Sequence, residues 1–217
     1  MTRKAQSAFV NALTFARVPL IFAWLGFAIA QECIDNPSSP TGFALACCAG
    51  FMMLLSGLTD AWDGSLARRW NVVSTLGKMA DPLMDKVFFI VVFPALLWQI
   101  MHQGESEAHA LLMLCFTILY MLRDTWVTFM RLVGGMYGAD VAAMWLGKVR
   151  TALSFPGAGW VYAYCCFHRM APESWNTPWL VSCYIVEGGL IALTVWSLHT
   201  YTGAYMPYLR RALAGDK

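Results

Sequence analysis

Charge is scarce in this sequence. Asp, Glu, Lys and Arg make up 13% of the 217 residues, against about 25% in an average soluble domain. A soluble fold of this size could not cover its surface with so few. Paired cysteine motifs are missing as well. The seven cysteines, Cys33, Cys47, Cys48, Cys115, Cys165, Cys166 and Cys183, form no CxxC, which argues against a zinc site or a disulfide framework. Set mostly in apolar runs, they read as packing residues. The net charge is only +2 and the basic residues form no single run, so nucleic acid is not an expected partner. No segment alternates polar and apolar residues for long, which disfavours a β-barrel. Low-complexity tracts and internal repeats are absent too.

What is abundant is apolar surface. Hydrophobic residues make up 59% of the chain, including 10 Trp, 13 Phe and 13 Met. The solvent that suits this composition is the bilayer. A spanning helix needs about 20 predominantly apolar residues. Six segments qualify: Leu13 to Ala30, Gly42 to Trp62, Leu83 to Met101, Ala110 to Met130, Thr151 to Phe167 and Trp179 to Tyr201. The breaks between them are polar or turn-rich, as in Asn36-Pro37-Ser38-Ser39-Pro40. The expectation is an all-α integral membrane protein of six transmembrane helices, with residues 1–217 as one membrane-embedded domain. Residues 1–10 read as a short amphipathic segment on the membrane surface. A basic start, an apolar run and Ala28-Ile29-Ala30 also resemble a signal peptide with its cleavage site. A retained first span is the preferred reading, because cleavage would remove Asn11 and Arg17.

Lys and Arg set the orientation. Of the 15, Arg169 alone falls in the loops after the first, third and fifth spans. The rest gather at the opposite side, which by the positive-inside rule is cytoplasmic, together with both termini.

One stretch carries chemistry. Asp60 and Asp63 lie at the cytoplasmic end of the second span, and Asp81 and Asp85 at the start of the third. Spacings of three and four put each pair on one helical face. The connection between the spans is short, so the helices are antiparallel neighbours and all four carboxylates can face one cavity. Such a cluster repels itself unless a cation intervenes. Hard divalent ions take oxygen ligands, and Mg²⁺ suits a few carboxylates plus phosphate oxygens. One or two divalent ions bridging a diphosphate are therefore expected, with a free carboxylate available to take a proton from an incoming hydroxyl. Gly64 and Ala67 leave room for a ligand beside Asp63, Arg68 offers a fork for phosphate oxygens, and Ser74 and Gly77 border the same mouth. Read singly, each of these residues could be an ordinary interfacial charge or helix start. Together they mark a functional site. The histidines, His102, His109, His168 and His199, fall away from the cluster and read as solvated or interfacial.

The pattern Asp60-x2-Asp63-Gly64-x2-Ala67-Arg68-x8-Gly77-x3-Asp81-x3-Asp85 resembles the motif of the CDP-alcohol phosphotransferases at every fixed position. The resemblance implies that family's fold of six transmembrane helices and a homodimer. It implies metal binding by Asp60, Asp63, Asp81 and Asp85, the metal being Mg²⁺ or Mn²⁺ and two ions in number, with Asp85 as the base on the acceptor alcohol. It places Gly64, Ala67, Arg68, Ser74 and Gly77 against the CDP part of a CDP-diacylglycerol donor, bordered by Asn11, Thr14 and Arg17. The acceptor oxygen would attack the lipid-side phosphorus, and CMP would leave.

Arg123-Asp124-x6-Arg131, Gly147-Lys148-Val149-Arg150-Thr151 and Asp81-Pro-Leu-Met-Asp85-Lys86 are similar to segments of phosphatidylglycerophosphate synthases, whose acceptor is glycerol 3-phosphate. That group usually has Glu at the place of Asp124 and Lys at the place of Arg150. Arg123, Arg131, Lys148 and Arg150 could form a pocket for a phosphate dianion, although topology alone also puts arginines at these helix ends. Other activities remain open: a phosphotransferase making cardiolipin, an inositol-phosphate lipid or phosphatidylserine, or, outside enzymes, a divalent-cation transporter. A transporter would want its acidic site near the bilayer midplane with a path to both sides.

Overall fold

In the computed structural model the described residues are 2–72, 74–104, 106–139 and 144–215; at 75, 76, 78, 79 and 81 the backbone alone is described. Six long helices account for nearly all of them: α1 (Arg3–Glu32), α2 (Pro40–Arg69), α3 (Thr75–Gln103), α4 (Glu107–Met136), α5 (Trp145–Phe167) and α6 (Glu173–Ala214). A single 3₁₀ turn, His168–Met170, follows α5, and no strand occurs among the described residues.

Local sequence explains where the helices begin and end. Thr2, Ser39, Ser74 and Ser106 each stand at an N-cap and accept a backbone N–H with the side-chain oxygen, satisfying a donor the helix cannot. Pro40 follows Ser39 at the first helical position, where proline's missing N–H is harmless. A side chain at position 42 would meet the Pro37 carbonyl oxygen at 2.0 Å, so the turn before α2 requires Gly42. At the other end of α3, Gly104 stops the helix with φ 66°.

Each helix is longer than its apolar stretch. α2 runs for 30 residues, about 45 Å at 1.5 Å per residue, while the hydrocarbon core is about 30 Å thick. The extra turns, invisible to hydropathy, project into the interfacial layer. Residues 3–10 are likewise continuous with α1. The last span, expected to stop at Tyr201, continues to Ala214. Among the described residues, five helical stretches are long and apolar enough to cross a membrane: Arg3–Glu32, Pro40–Arg69, Pro82–Gln103, Glu107–Met136 and Glu173–Ala214. The sixth helix, α5, has 23 residues and carries Lys148 and Arg150 in its first two turns.

Packing pairs α1 with α2 and α3, and α4 with α6, while α5 sits between α6 and the α2–α3 pair. Lipid is as apolar as the helices, so association relies on close van der Waals fit and buried polar bonds. Small residues permit that fit on α2, where Ala46 and Ala49 are fully buried. Tyr162 of α5 lies there and donates its hydroxyl to the Ala46 carbonyl at 3.1 Å. Phe89 and Phe93 of α3 interlock with Phe116 and Tyr120 of α4 at ring separations of 4.8–5.0 Å. Phe22, Phe51, Ile90, Leu122, Ile185 and Trp196 point outward, as a lipid-facing belt requires.

The end away from the aspartates is not the solvated region expected of its histidines. His109 and His168 are both 1% exposed. His109 Nε2 lies 3.0 Å from Glu187 Oε1 across α4 and α6, and the His168 ring nitrogen is 2.7 Å from the Tyr164 carbonyl. Gln103 donates both to Glu32 and to the Cys165 carbonyl, at 2.6 and 2.9 Å, tying α3 to α1 and α5. A buried polar group in a membrane protein costs several kcal/mol unless it is hydrogen-bonded, and these bonds meet that demand for His109, His168 and Gln103. His102 and His199 are exposed, as expected. Cys165, Cys166 and Cys183 are buried, whereas Cys33, Cys47, Cys48 and Cys115 lie on exposed faces and do not fill the core.

Candidate active site

Three helices converge on one guanidinium. Arg17, on α1 and 3% exposed, reaches Asp60 Oδ1 at 2.7 Å, Asp63 Oδ2 at 2.6 Å and Asp85 Oδ1 at 3.1 Å. Thr14, one turn earlier on the same face, donates to Asp63 Oδ2 at 2.8 Å. Asp63 is buried at 3% exposure, while Asp60 and Asp85 remain open at 54% and 43%. The backbone of Asp81 lies on α3 one turn before Asp85; its side chain is outside the described residues. Asp60, Asp63 and Asp85, from two helices far apart in sequence, thus share one neighbourhood. Among the described residues, no three His, Cys, Asp or Glu side chains close on a single point. Like charges keep apart without a cation between them, and here the cation between them is Arg17.

A second group forms beside this one. Ser74, the N-cap of α3, accepts from Gly77 N at 2.9 Å and donates to Asn11 Oδ1 at 2.9 Å. A side chain at position 77 would press on the Ser74 hydroxyl at 3.1 Å. The start of α1 is held against the α2–α3 turn by Arg3, which donates to the Asn71 carbonyl at 3.1 Å, and by Phe9 and Trp70, whose rings lie 6.2 Å apart. On α2, a Cβ at Gly64 would meet only the Arg68 guanidinium, at 4.0 Å, so this face is open. Arg68 is exposed and Ala67 half-buried. Asn11, Thr14 and Arg17 form one stripe along α1. Asn11 faces the Ser74 cap, whereas Thr14 and Arg17 are turned to the carboxylates.

A cavity of about 480 Å³ opens from the aspartates. Asp60 and Asp85 line one part of it, and Arg123, Arg131, Lys148 and Arg150 line another. The four basic side chains differ in setting. Arg123 and Arg150 are 6% and 2% exposed, Arg131 is half-buried and Lys148 exposed. Asp124 Oδ1 accepts from Arg123 Nη1 at 2.9 Å and from Arg150 Nη2 at 2.5 Å. The two departures from the synthase-like segments, Asp124 and Arg150, therefore meet each other in one ion pair. Arg123 also donates to Ser197 Oγ through Nε at 3.1 Å and through Nη2. The Arg123 guanidinium lies 5.0 Å from the centre of the Tyr201 ring, and that of Arg150 3.9 Å from the centre of the Tyr120 ring. Sequence reasoning missed Ser197, Tyr120 and Tyr201. No motif marks them, although Ser197 and Tyr201 share a face at spacing four. It also left Lys86 without a role; its ammonium donates to Thr128 Oγ1 at 2.8 Å and lines the same cavity.

An adjoining cavity of about 330 Å³ shares Asp60 and Asp85 and is otherwise lined mainly by Leu54, Leu58, Met84, Phe88 and Phe155. Gly57 lets the Phe155 ring close on α2 at the wall of this cavity, since a Cβ there would fall 2.3 Å from the ring. The acidic centre therefore lies between one basic, polar chamber and one apolar chamber. That arrangement suits a reaction joining a water-soluble anion to a lipid.

A family model described as CDP-alcohol phosphatidyltransferase matches residues 8–196. The chain is 30% identical to a cardiolipin synthase (CMP-forming) of Streptomyces coelicolor, over 82% of this chain and 80% of the relative. It is 28% identical to a CDP-diacylglycerol–glycerol-3-phosphate 3-phosphatidyltransferase of Escherichia coli K12, over 72% and 77%. Against a protein of that same name from Mycoplasma genitalium it is 33% identical, over 54% and 44%.

Proposed function

The chain belongs to the CDP-alcohol phosphatidyltransferase family, and from that premise we propose that it transfers the phosphatidyl group of CDP-diacylglycerol to glycerol 3-phosphate, yielding phosphatidylglycerophosphate and CMP. The observation that carries the choice of acceptor is the cavity joining Asp60 and Asp85 to two buried arginines. An acceptor with its own phosphate needs buried cations; a serine or choline acceptor does not.

Asp60, Asp63, Asp81 and Asp85 would hold the divalent ions, Mg²⁺ or Mn²⁺ and two in number. The fit rests on the donor set: its described members are carboxylates that already surround one cationic group, Arg17, and hard divalent ions take such oxygens. Bound there, the metal supplies charge neutralisation at the pyrophosphate. The protein's own groups do the rest. Asn11, Ser74, Gly77, Gly64, Ala67 and Arg68 border the cytidine and phosphates. The apolar chamber along Leu54, Leu58 and Phe155 takes the lipid part. Asp85 accepts the proton of the acceptor hydroxyl, whose oxygen bonds to the lipid-side phosphorus as the bond to CMP breaks. A homodimer in a bacterial inner membrane, with the aspartates and both termini facing the cytoplasm, completes the reading; the sorting of Lys and Arg supports that orientation.

A second reading has its own support. The Streptomyces coelicolor relative is named a cardiolipin synthase, and an apolar chamber next to the aspartates could admit a lipid acceptor such as phosphatidylglycerol. Purified protein with CDP-diacylglycerol and a panel of acceptors separates the two. We expect CMP release with glycerol 3-phosphate and little with phosphatidylglycerol, inositol phosphate or serine. Release with phosphatidylglycerol alone would transfer the assignment to cardiolipin synthesis.

A further inference from the structure

We propose that Asp124 is the positioning residue of the acceptor subsite, locking Arg123 and Arg150 into one two-pronged receptor for the acceptor's phosphate. The inference rests on the acceptor reading above and divides the four basic residues into two classes.

Two guanidiniums buried side by side repel each other, and burial weakens the screening that would make this tolerable. Asp124 answers that repulsion with a single oxygen, Oδ1, which accepts from both, at 2.9 and 2.5 Å. The pair then keeps one net positive charge, since two cations face one anion. Packing fixes the pose further. Ser197 takes two Arg123 nitrogens, and each guanidinium lies over a tyrosine ring, Tyr201 or Tyr120, an arrangement favourable for a cation. Gly147 leaves space for this assembly: a Cβ there would lie 2.8 Å from the Tyr201 hydroxyl and 3.3 Å from Arg123 Nη2.

What points to a ligand is an incomplete inventory. Arg150 is 2% exposed, yet its Nε and Nη1 have no hydrogen-bond partner among the described residues. Buried N–H donors left without acceptors are costly. Arg150 lines the same cavity as Asp85, so an anion entering there would supply the missing acceptors. The dianionic end of a phosphomonoester has three oxygens for these donors. Lys148, exposed at the rim, and half-buried Arg131 then draw the anion in without fixing its pose.

The test is the split between substrates. In Asp124→Asn the shape stays and the charge goes. We expect the KM for glycerol 3-phosphate to rise about tenfold, as loss of a charge-assisted clamp implies, while the KM for CDP-diacylglycerol stays near that of the parent and the thermal midpoint falls, because the two guanidiniums lose their shared counter-charge. Rescue provides the second arm. Asp124→Glu and Arg150→Lys should each raise the acceptor KM, and combining them should recover most of the loss, because one side chain lengthens as the other shortens. If Asp124→Asn does not fold, this charge-keeping cycle decides. Unchanged acceptor KM, parallel changes in both KM values, or strictly additive losses in the cycle each overturn the positioning role. A parent protein that releases no CMP with glycerol 3-phosphate overturns the acceptor reading itself, and this inference with it.

Discussion

A single guanidinium stands where several carboxylates need a cation. Arg17 bonds to Asp60, Asp63 and Asp85 together, and Thr14 adds a hydroxyl to Asp63. The roles of these carboxylates separate by exposure. Asp63, buried and twice bonded, is a fixed anchor, whereas Asp85, open on the cavity, can meet a substrate hydroxyl. Asp85→Asn keeps the size and much of the hydrogen bonding but removes the base. Turnover should fall by at least about 10²-fold, the lower end of what general bases contribute, with the thermal midpoint and the KM for CDP-diacylglycerol little changed. A steady-state assay beside a thermal melt checks this, and parental turnover would contradict the base assignment. The aspartates were legible from their spacing. The contact of Arg17 with them was not, since nothing in a linear sequence says which neighbouring helix supplies the counter-charge.

Element boundaries shape the site as much as side chains do. The helices extend past the apolar spans, and the extra turns carry Asp63, Arg68 and the backbone of Asp81. Hydropathy reads only the apolar stretch, so the spans it predicts stop short of these turns. Ser74 shows how local chemistry at such an end becomes function: one oxygen caps α3 and holds Asn11 of α1. Ser74→Ala should cost about 1 kcal/mol of stability, the usual worth of an N-cap. It should also raise the KM for CDP-diacylglycerol more than that for the acceptor, because Asn11 and Gly77 lose their common partner. Thermal unfolding and the two KM values test this together. An acceptor KM that rises instead would mean that this cap borders the other chamber.

At the scale of the whole molecule, the bundle holds one polar centre at each end. One is ion-rich and open through Asp60 and Asp85. The other, built on Glu32, Gln103, His109 and Glu187, is closed and fastens the helices. The open centre predicts a dependence on metal. Chelation should abolish activity and leave the helical circular-dichroism signal intact, and Mg²⁺ or Mn²⁺ should restore turnover. Added ion should also raise the thermal midpoint, since anything that binds only the folded state stabilises it. Full activity in excess chelator would remove the metal from the proposal. The same placement disfavours a transporter, because the carboxylates gather at one end of the helices with an apolar core beyond them, where a conduction path would need polar groups.

The sequence by itself determined that this chain is helical and suited to a membrane, and it singled out four aspartates as a candidate site. Those conclusions follow from composition, hydropathy and short-range helical spacing, which are local properties. Only the tertiary structure decided that Arg17 is the partner of Asp60, Asp63 and Asp85, that Asp124 joins two buried arginines, and that His109 and His168 are core residues. Each of these joins residues from different helices, some of them far apart along the chain. Low dielectric inside the bundle makes such polar pairings strong when complete and costly when not, and three-dimensional packing alone selects the partners.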